Sequence, residues 1–276
     1  MLMAWDAALR DENAGHGMPL QLPTAHCPLP TIFTIKDFDG DLGCWTTFID
    51  ALRPWVYSRP AATTISKKDT MISDDQREHL HTWITVRRVR DTMGRTRIQE
   101  WMASISEYLT FRKSLQSFFD EHLKSYCQGK CFDTRRSACC GKDSIIVHFA
   151  DIAINVLLSA DEEIDPILEA LATDPLGFSC VYLGPKGCLW KLTPIVCAMF
   201  LCDGLIDVRL KGNRELEETW HCLQEQRKTF TWPDRSVLFD ELEKSFLALG
   251  VQSPLMHYQY SPGLLRVKRN AGLIKT

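Results

Sequence analysis

Apolar residues recur at three- and four-residue intervals along the second two-thirds of the chain, the spacing of a helix that buries one face. Trp101, Ile105, Tyr108, Leu115, Phe119 and Tyr126 share such a face, which predicts an amphipathic helix ending at Cys127. Upstream, Ser73-Asp74-Asp75-Gln76 has the form of a capping box, so a helix is expected to begin near Asp74 and to break at Gly94. Downstream, Phe149, Ile152, Ala153, Val156 and Leu157 mark another helical face, and Ser159 to Glu162 reads as a second capping box opening a helix through Leu171. Thr193-Pro194 supplies an N-cap and a first-turn proline for a helix over Pro194–Cys202, ended by Asp203-Gly204. Leu216, Trp220, Leu223 and Phe230 predict a further helix that Trp232-Pro233-Asp234 interrupts. Leu238, Leu242, Phe246 and Leu249 predict the next, stopped by Gly250.

The first 70 residues lack such periodicity and are punctuated by Pro19, Pro23, Pro28, Pro30, Pro54 and Pro60. They read as an irregular lead-in with a strand at Thr31–Ile35 and a short helix around Trp45–Leu52. The end of the chain is basic at Arg266, Lys268, Arg269 and Lys275. The pattern predicts a mainly α fold, with few or short strands and helices surrounding a central, irregular, cysteine-rich metal-binding module. Four regions are expected: an irregular proline-containing region over 1–72, a helical segment over 73–126, the cysteine module over 127–204, and C-terminal helices with a basic tail over 205–276.

At 276 residues the chain can bury a full-sized core without covalent staples. Its 45% hydrophobic and 24% charged residues are those of a globular protein. A net charge of -3 gives no electrostatic basis for wholesale nucleic-acid binding, and no uninterrupted apolar run reaches membrane-spanning length. The N-terminus lacks the basic and apolar regions of an export signal, so a cytoplasmic location is expected. There, structural disulfides are disfavoured and cysteines are read first as metal ligands or redox groups. A protein partner is left open.

That matters because eight of the eleven cysteines lie between residues 127 and 202. Cys127, Cys131, Cys139 and Cys140 form a front set spaced C-x3-C-x7-C-C. Cys180, Cys188, Cys197 and Cys202 form a rear set spaced C-x7-C-x8-C-x4-C. Converging thiolates select zinc, copper(I) or iron–sulfur clusters. The absence of paired C-x2-C knuckles tips the choice slightly from zinc to an iron–sulfur cluster. Cys139 and Cys140, being adjacent, either serve two centres or occupy an irregular turn. Cys197 and Cys202 are five apart, about 140° around an ideal helix, so Cys202 acts from a frayed end or serves a different centre. Cys27, Cys44 and Cys222 read as inert packing residues.

In order, the eight cysteines resemble the YkgJ-type cysteine-cluster family, a zinc- or iron-chelating domain. Cys127, Cys131 and Cys139-Cys140 match its front group. Cys180, Gly187-Cys188, Pro194, Cys197 and Cys202 match its rear group, over about residues 125–205. The front group is stretched here by Phe132–Ala138. The resemblance implies that all eight cysteines ligate metal and that the protein has a structural or redox role. Flagellin lysine-N-methylases share this kind of domain, which implies a group-transfer enzyme as one alternative; a metal-handling or assembly protein is another. No nucleotide-binding glycine loop and no nucleophile elbow is present, so no catalytic residue is assigned.

The remaining candidates read as structural. His148 is the best non-cysteine ligand candidate, though a hydrogen-bonded histidine at a helix start is the plainer reading. Arg87, Arg88, Arg90, Arg95 and Arg97 read as a solvated face rather than a phosphate site. Asp161, Glu162, Glu163 and Asp165 read as an acidic first turn favoured by the helix dipole. Trp190 and Met199 are expected to shield the centre.

Overall fold

The computed structural model describes residues 72–133, 146–173, 180–185 and 187–275, which belong to the compact unit Thr70–Thr276. The expected strand at Thr31–Ile35, the helix at Trp45–Leu52, and Cys27, Cys44, Cys139 and Cys140 lie outside the described residues.

Helix α1 spans Asp74–Thr92. Its capping box forms as expected: the Ser73 hydroxyl accepts from the Gln76 amide, and the Gln76 side chain accepts from the Ser73 amide. After Gly94 follow α2 (Arg95–Ser104) and α3 (Ser106–Phe118), separated at Ile105. The chain then stays helical through a π-helical segment (Phe119–Leu123), the turn α4 (Lys124–Cys127) and a second π-helical segment (Gln128–Phe132). The expected helix end at Cys127 is therefore corrected. The helical path carries both Cys127 and Cys131, since π-helical bonding continues from Gln128 to Phe132.

Helix α5 spans Phe149–Leu158 and α6 spans Asp161–Leu171. Of the second capping box only the return half forms, one residue later than expected, because Ala160 at the N-cap has no side-chain acceptor. Glu163, not Glu162, closes it by accepting from the Ala160 amide at 2.9 Å. The only strands among the described residues are β1 (Leu183–Gly184) and β2 (Gly187–Cys188), antiparallel, with Leu183 opposite Cys188. Gly187 has φ 118°, a conformation that disfavours any side chain.

Two short helical turns follow, α7 (Ile195–Ala198) and α8 (Asp203–Leu205), the latter running into a third π-helical segment (Ile206–Leu210). The single helix expected over Pro194–Cys202 is thus split. It ends at Met199, and Cys202 caps the next turn from an extended conformation. Helices α9 (Arg214–Thr231) and α10 (Leu238–Ala248) follow the predicted pattern, with Gly250 at φ 79° after the second. The expected basic tail is in part structure: α11 (His257–Tyr260) and α12 (Pro262–Asn270) fold back, and Lys268 is buried against Asp240 at 3.0 Å.

The described residues are mainly helical and form two hydrophobic clusters. One gathers Tyr108, Phe111, Leu115, Phe118, Trp220, Phe230 and Phe239 from α3, α9 and α10. The other gathers Trp83, Trp101, Phe149, Ile152, Tyr182, Trp190 and Phe246. Helix α5 feeds both, with Ala150 and Ile154 in the first and Phe149, Ile152, Ala153 and Val156 in the second. Each large apolar side chain fully buried in this way contributes roughly 1.5–3 kcal/mol. None of the helices among the described residues is long and apolar enough to cross a membrane.

Candidate metal centre

Six of the eight predicted ligands, Cys127, Cys131, Cys180, Cys188, Cys197 and Cys202, are described, and none of the six is disulfide-bonded. Cys222, expected as a packing residue, is disulfide-bonded and offers no thiolate.

The front pair sits four residues apart on the continuous helical path, a spacing that places side chains on one face. Cys202 approaches the same region. The segments around them are fastened together, since Arg209 donates to the Ser125 hydroxyl at 2.6 Å and a Cβ at Gly204 would meet the Tyr126 hydroxyl at 2.8 Å. Burial pushes the Cys127 thiol up, and the nearby thiols of Cys131 and Cys202 push it further. Cys127 and Cys202 both pack against the first hydrophobic cluster.

The rear group gathers around Tyr182. Burial raises the pKa of its phenol, and the thiols of Cys180, Cys188 and Cys197 act in the same direction. Cys180 begins the turn that leads into β1, where the Leu183 amide donates to the Cys180 carbonyl at 3.0 Å, and Cys188 ends the hairpin. Cys180 packs against the second cluster, whose aromatic wall includes Tyr182 and Trp190, with ring centroids 5.1 Å apart. His79 fixes the Tyr182 hydroxyl at 2.8 Å from its Nδ1. Burial holds that imidazole neutral by lowering its pKa to about 4, despite the opposing pull of Asp75. The expected shielding is divided: Trp190 lines the second cluster and Met199 the first.

Three residues that deliver the rear group escaped the sequence reading. Asn155 of α5 donates to the Leu192 carbonyl and accepts from the Leu192 amide, both at 2.9 Å. Asp151, one turn earlier, accepts from the Ile195 amide at 3.0 Å, and Arg112 of α3 donates to the Thr193 carbonyl at 2.6 Å. Together they hold the segment that leads into α7 and Cys197. Their only trace in the sequence is polarity at positions 151 and 155, one turn apart on an otherwise apolar helix.

The other candidates fall into structural roles. His148 occupies the N-cap position of α5, its amide donating to Asp151 at 3.1 Å and its ring buried beside Phe239, His257 and Tyr258, where burial lowers its pKa to about 3. Arg87 and Arg90 are ion-paired with the first turn of α6, through Asp165 and Asp161, and Arg90 also donates to the Ser159 carbonyl at 3.0 Å. Arg87 and Arg90 thus join the acidic turn in one contact between α1 and α6, whereas Arg97 of α2 pairs with Glu100.

A solvent-open cleft of about 390 Å3 lies between two of the π-helical segments, lined by Glu121, His122, Arg209, Lys211 and Asn213 among others. No cysteine lines it. Among the described residues, no three His, Cys, Asp or Glu side chains converge closely enough to hold a metal ion, so the thiol groups are neighbourhoods rather than closed coordination shells. Thiol sulfur is the donor type that soft metals take. No family model, curated protein or solved structure matches this chain.

Proposed function

We propose that this is a metal-binding protein whose clustered cysteines ligate an iron–sulfur cluster, or zinc in its place, in a structural or redox role. The observation that carries the reading is the gathering of the described thiols into two neighbourhoods, around Cys127 and around Tyr182. The order of the eight cysteines, which resembles the YkgJ-type family, supports it from the sequence side. Cys139 and Cys140 join as ligands on sequence grounds. Bound metal would supply cross-linking of distant segments or electron transfer. The chain's own part is to aim the thiols, through Asp151, Asn155 and Arg112 on the rear side, and to exclude water there with Trp190 and Tyr182.

The polar cleft is separate from the thiols, so the group-transfer alternative gains no support from it. Anaerobic purification of the full chain, followed by quantification of iron, zinc and acid-labile sulfide, tests the proposal. Iron with sulfide, or zinc, at stoichiometric levels is the expected result. A chain that carries none of these, and takes none up on reconstitution, would overturn it.

A further inference from the structure

We propose that the solvent-open cleft binds a free amino acid with an acidic side chain, its carboxylates taken by Arg209 and Lys211 and its ammonium by Glu121. No cysteine lines this cleft, so the site is independent of the metal-binding reading.

Backbone geometry singles the cleft out first. π-helical turns are rare, and where they persist they often mark functional sites. Two of the π-helical segments, Phe119–Leu123 and Ile206–Leu210, face each other across this one cleft. Between Lys211 and Asn213 the chain turns at Gly212, whose φ of 83° side chains rarely adopt, and the turn sets both neighbours on the cleft wall.

Charge points the same way. Glu121, Arg209 and Lys211 share the cleft, yet among the described residues the acid pairs with neither cation. Arg209 forms no ion pair there; it donates to the Ser125 hydroxyl at 2.6 Å, which anchors the guanidinium and leaves further N–H groups for a ligand. Lys211 reaches Asp207 at 3.4 Å, an exposed contact that a ligand can replace at little cost. Glu121 has the ring of His122 at 3.8 Å as its charged neighbour. A simple anion would satisfy the two cations and leave Glu121 facing a like charge, and a simple cation would do the reverse. An acidic amino acid carries two carboxylates and one ammonium, the count that answers two cations and one acid.

Size and remaining donors agree. The cleft holds about 390 Å3, within the range of small-molecule sites. Asn213 uses its side-chain oxygen to accept from the Leu216 amide at 3.3 Å, so its N–H donors remain for a carboxylate. Val208 and Leu216 offer apolar contact to the methylenes of the ligand.

Isothermal titration calorimetry of the full chain tests the proposal, with L-glutamate as the probe and at low salt, because exposed charges are screened. Saturable binding is expected. Glutarate, which lacks the ammonium, and inorganic phosphate should each bind at least about tenfold more weakly. Arg209→Gln should weaken L-glutamate by about tenfold or more. Glu121→Gln should lower L-glutamate to the level of glutarate while leaving glutarate no weaker. Ser125→Ala removes the anchor but keeps the charge, and should bind L-glutamate close to the parent affinity. The proposal is overturned by the absence of saturable L-glutamate binding up to about 10 mM. Glutarate or phosphate binding as tightly as L-glutamate would overturn it too, as would a Glu121→Gln chain that keeps its helical circular dichroism and still discriminates. A loss in Ser125→Ala equal to that in Arg209→Gln would make Arg209 a structural fastening and overturn its role. A metal-free chain that binds L-glutamate sinks the proposed function alone, and a metal-loaded chain that does not bind it sinks this proposal alone.

Discussion

Glu243 lies fully buried in α10, near Asp240 and Lys268. Burial pushes its carboxyl up to about 9, and the charge of Asp240 adds to the effect. The folded chain therefore keeps a proton that the unfolded chain releases near 4.5, and stability falls as pH rises between those values. His79 and His148 act in the opposite sense. Burial lowers them to about 4 and about 3, so the unfolded chain takes up protons below 6.5 that the folded chain refuses, and stability falls as pH drops. The limbs overlap below 6.5, where two histidines outweigh one carboxyl, so stability from these three groups is expected to peak near pH 6.5 and to fall on either side. Glu243→Gln removes the carboxyl titration, so its urea midpoint should change less than the parent's between about pH 7 and about pH 9. Equal slopes for the two proteins would show that this carboxyl does not shape the alkaline limb.

Elements announced by local chemistry were legible in the sequence. Ser73 and Gln76 form the predicted box, and Gly250 takes the positive φ that ends α10. The cap makes a prediction at this scale: Ser73→Ala should lower stability by about 1 kcal/mol, seen as an earlier chemical-denaturation midpoint with an unchanged slope. What escaped the reading has a physical reason. The π-helical bonding of Phe119–Leu123 and Gln128–Phe132 has no residue signature comparable to a cap or a breaker, so nothing in Phe119–Phe132 signals that the helix runs past Cys127. The placing of the segment that enters α7 is likewise silent, because it is held by contacts of Leu192, Thr193 and Ile195 with residues some 37 to 81 positions away. The candidate site was legible as a list of cysteines. Its geometry was legible only in part: the five-residue spacing already set Cys202 apart from Cys197, but nothing in the sequence shows that its segment is fastened beside Ser125 and Tyr126.

At the scale of the whole described unit, the two hydrophobic clusters are joined through α5, which presents Ala150 and Ile154 to one and Phe149, Ile152, Ala153 and Val156 to the other. Its polar residues Asp151 and Asn155 reach the segment leading to Cys197. The same short helix thus takes part in both interiors and in placing a candidate ligand.

That shared helix sets how the protein breathes. An opening that released Phe149–Leu158 to solvent would have to dismantle both interiors at once, so it should occur only in the rarest, global excursions. Deuterium uptake at backbone amides should accordingly be slowest along this ten-residue stretch. The frayed turns around Cys197 and Cys202 should take up label orders of magnitude sooner, and comparable rates in the two regions would mean that the two interiors open independently.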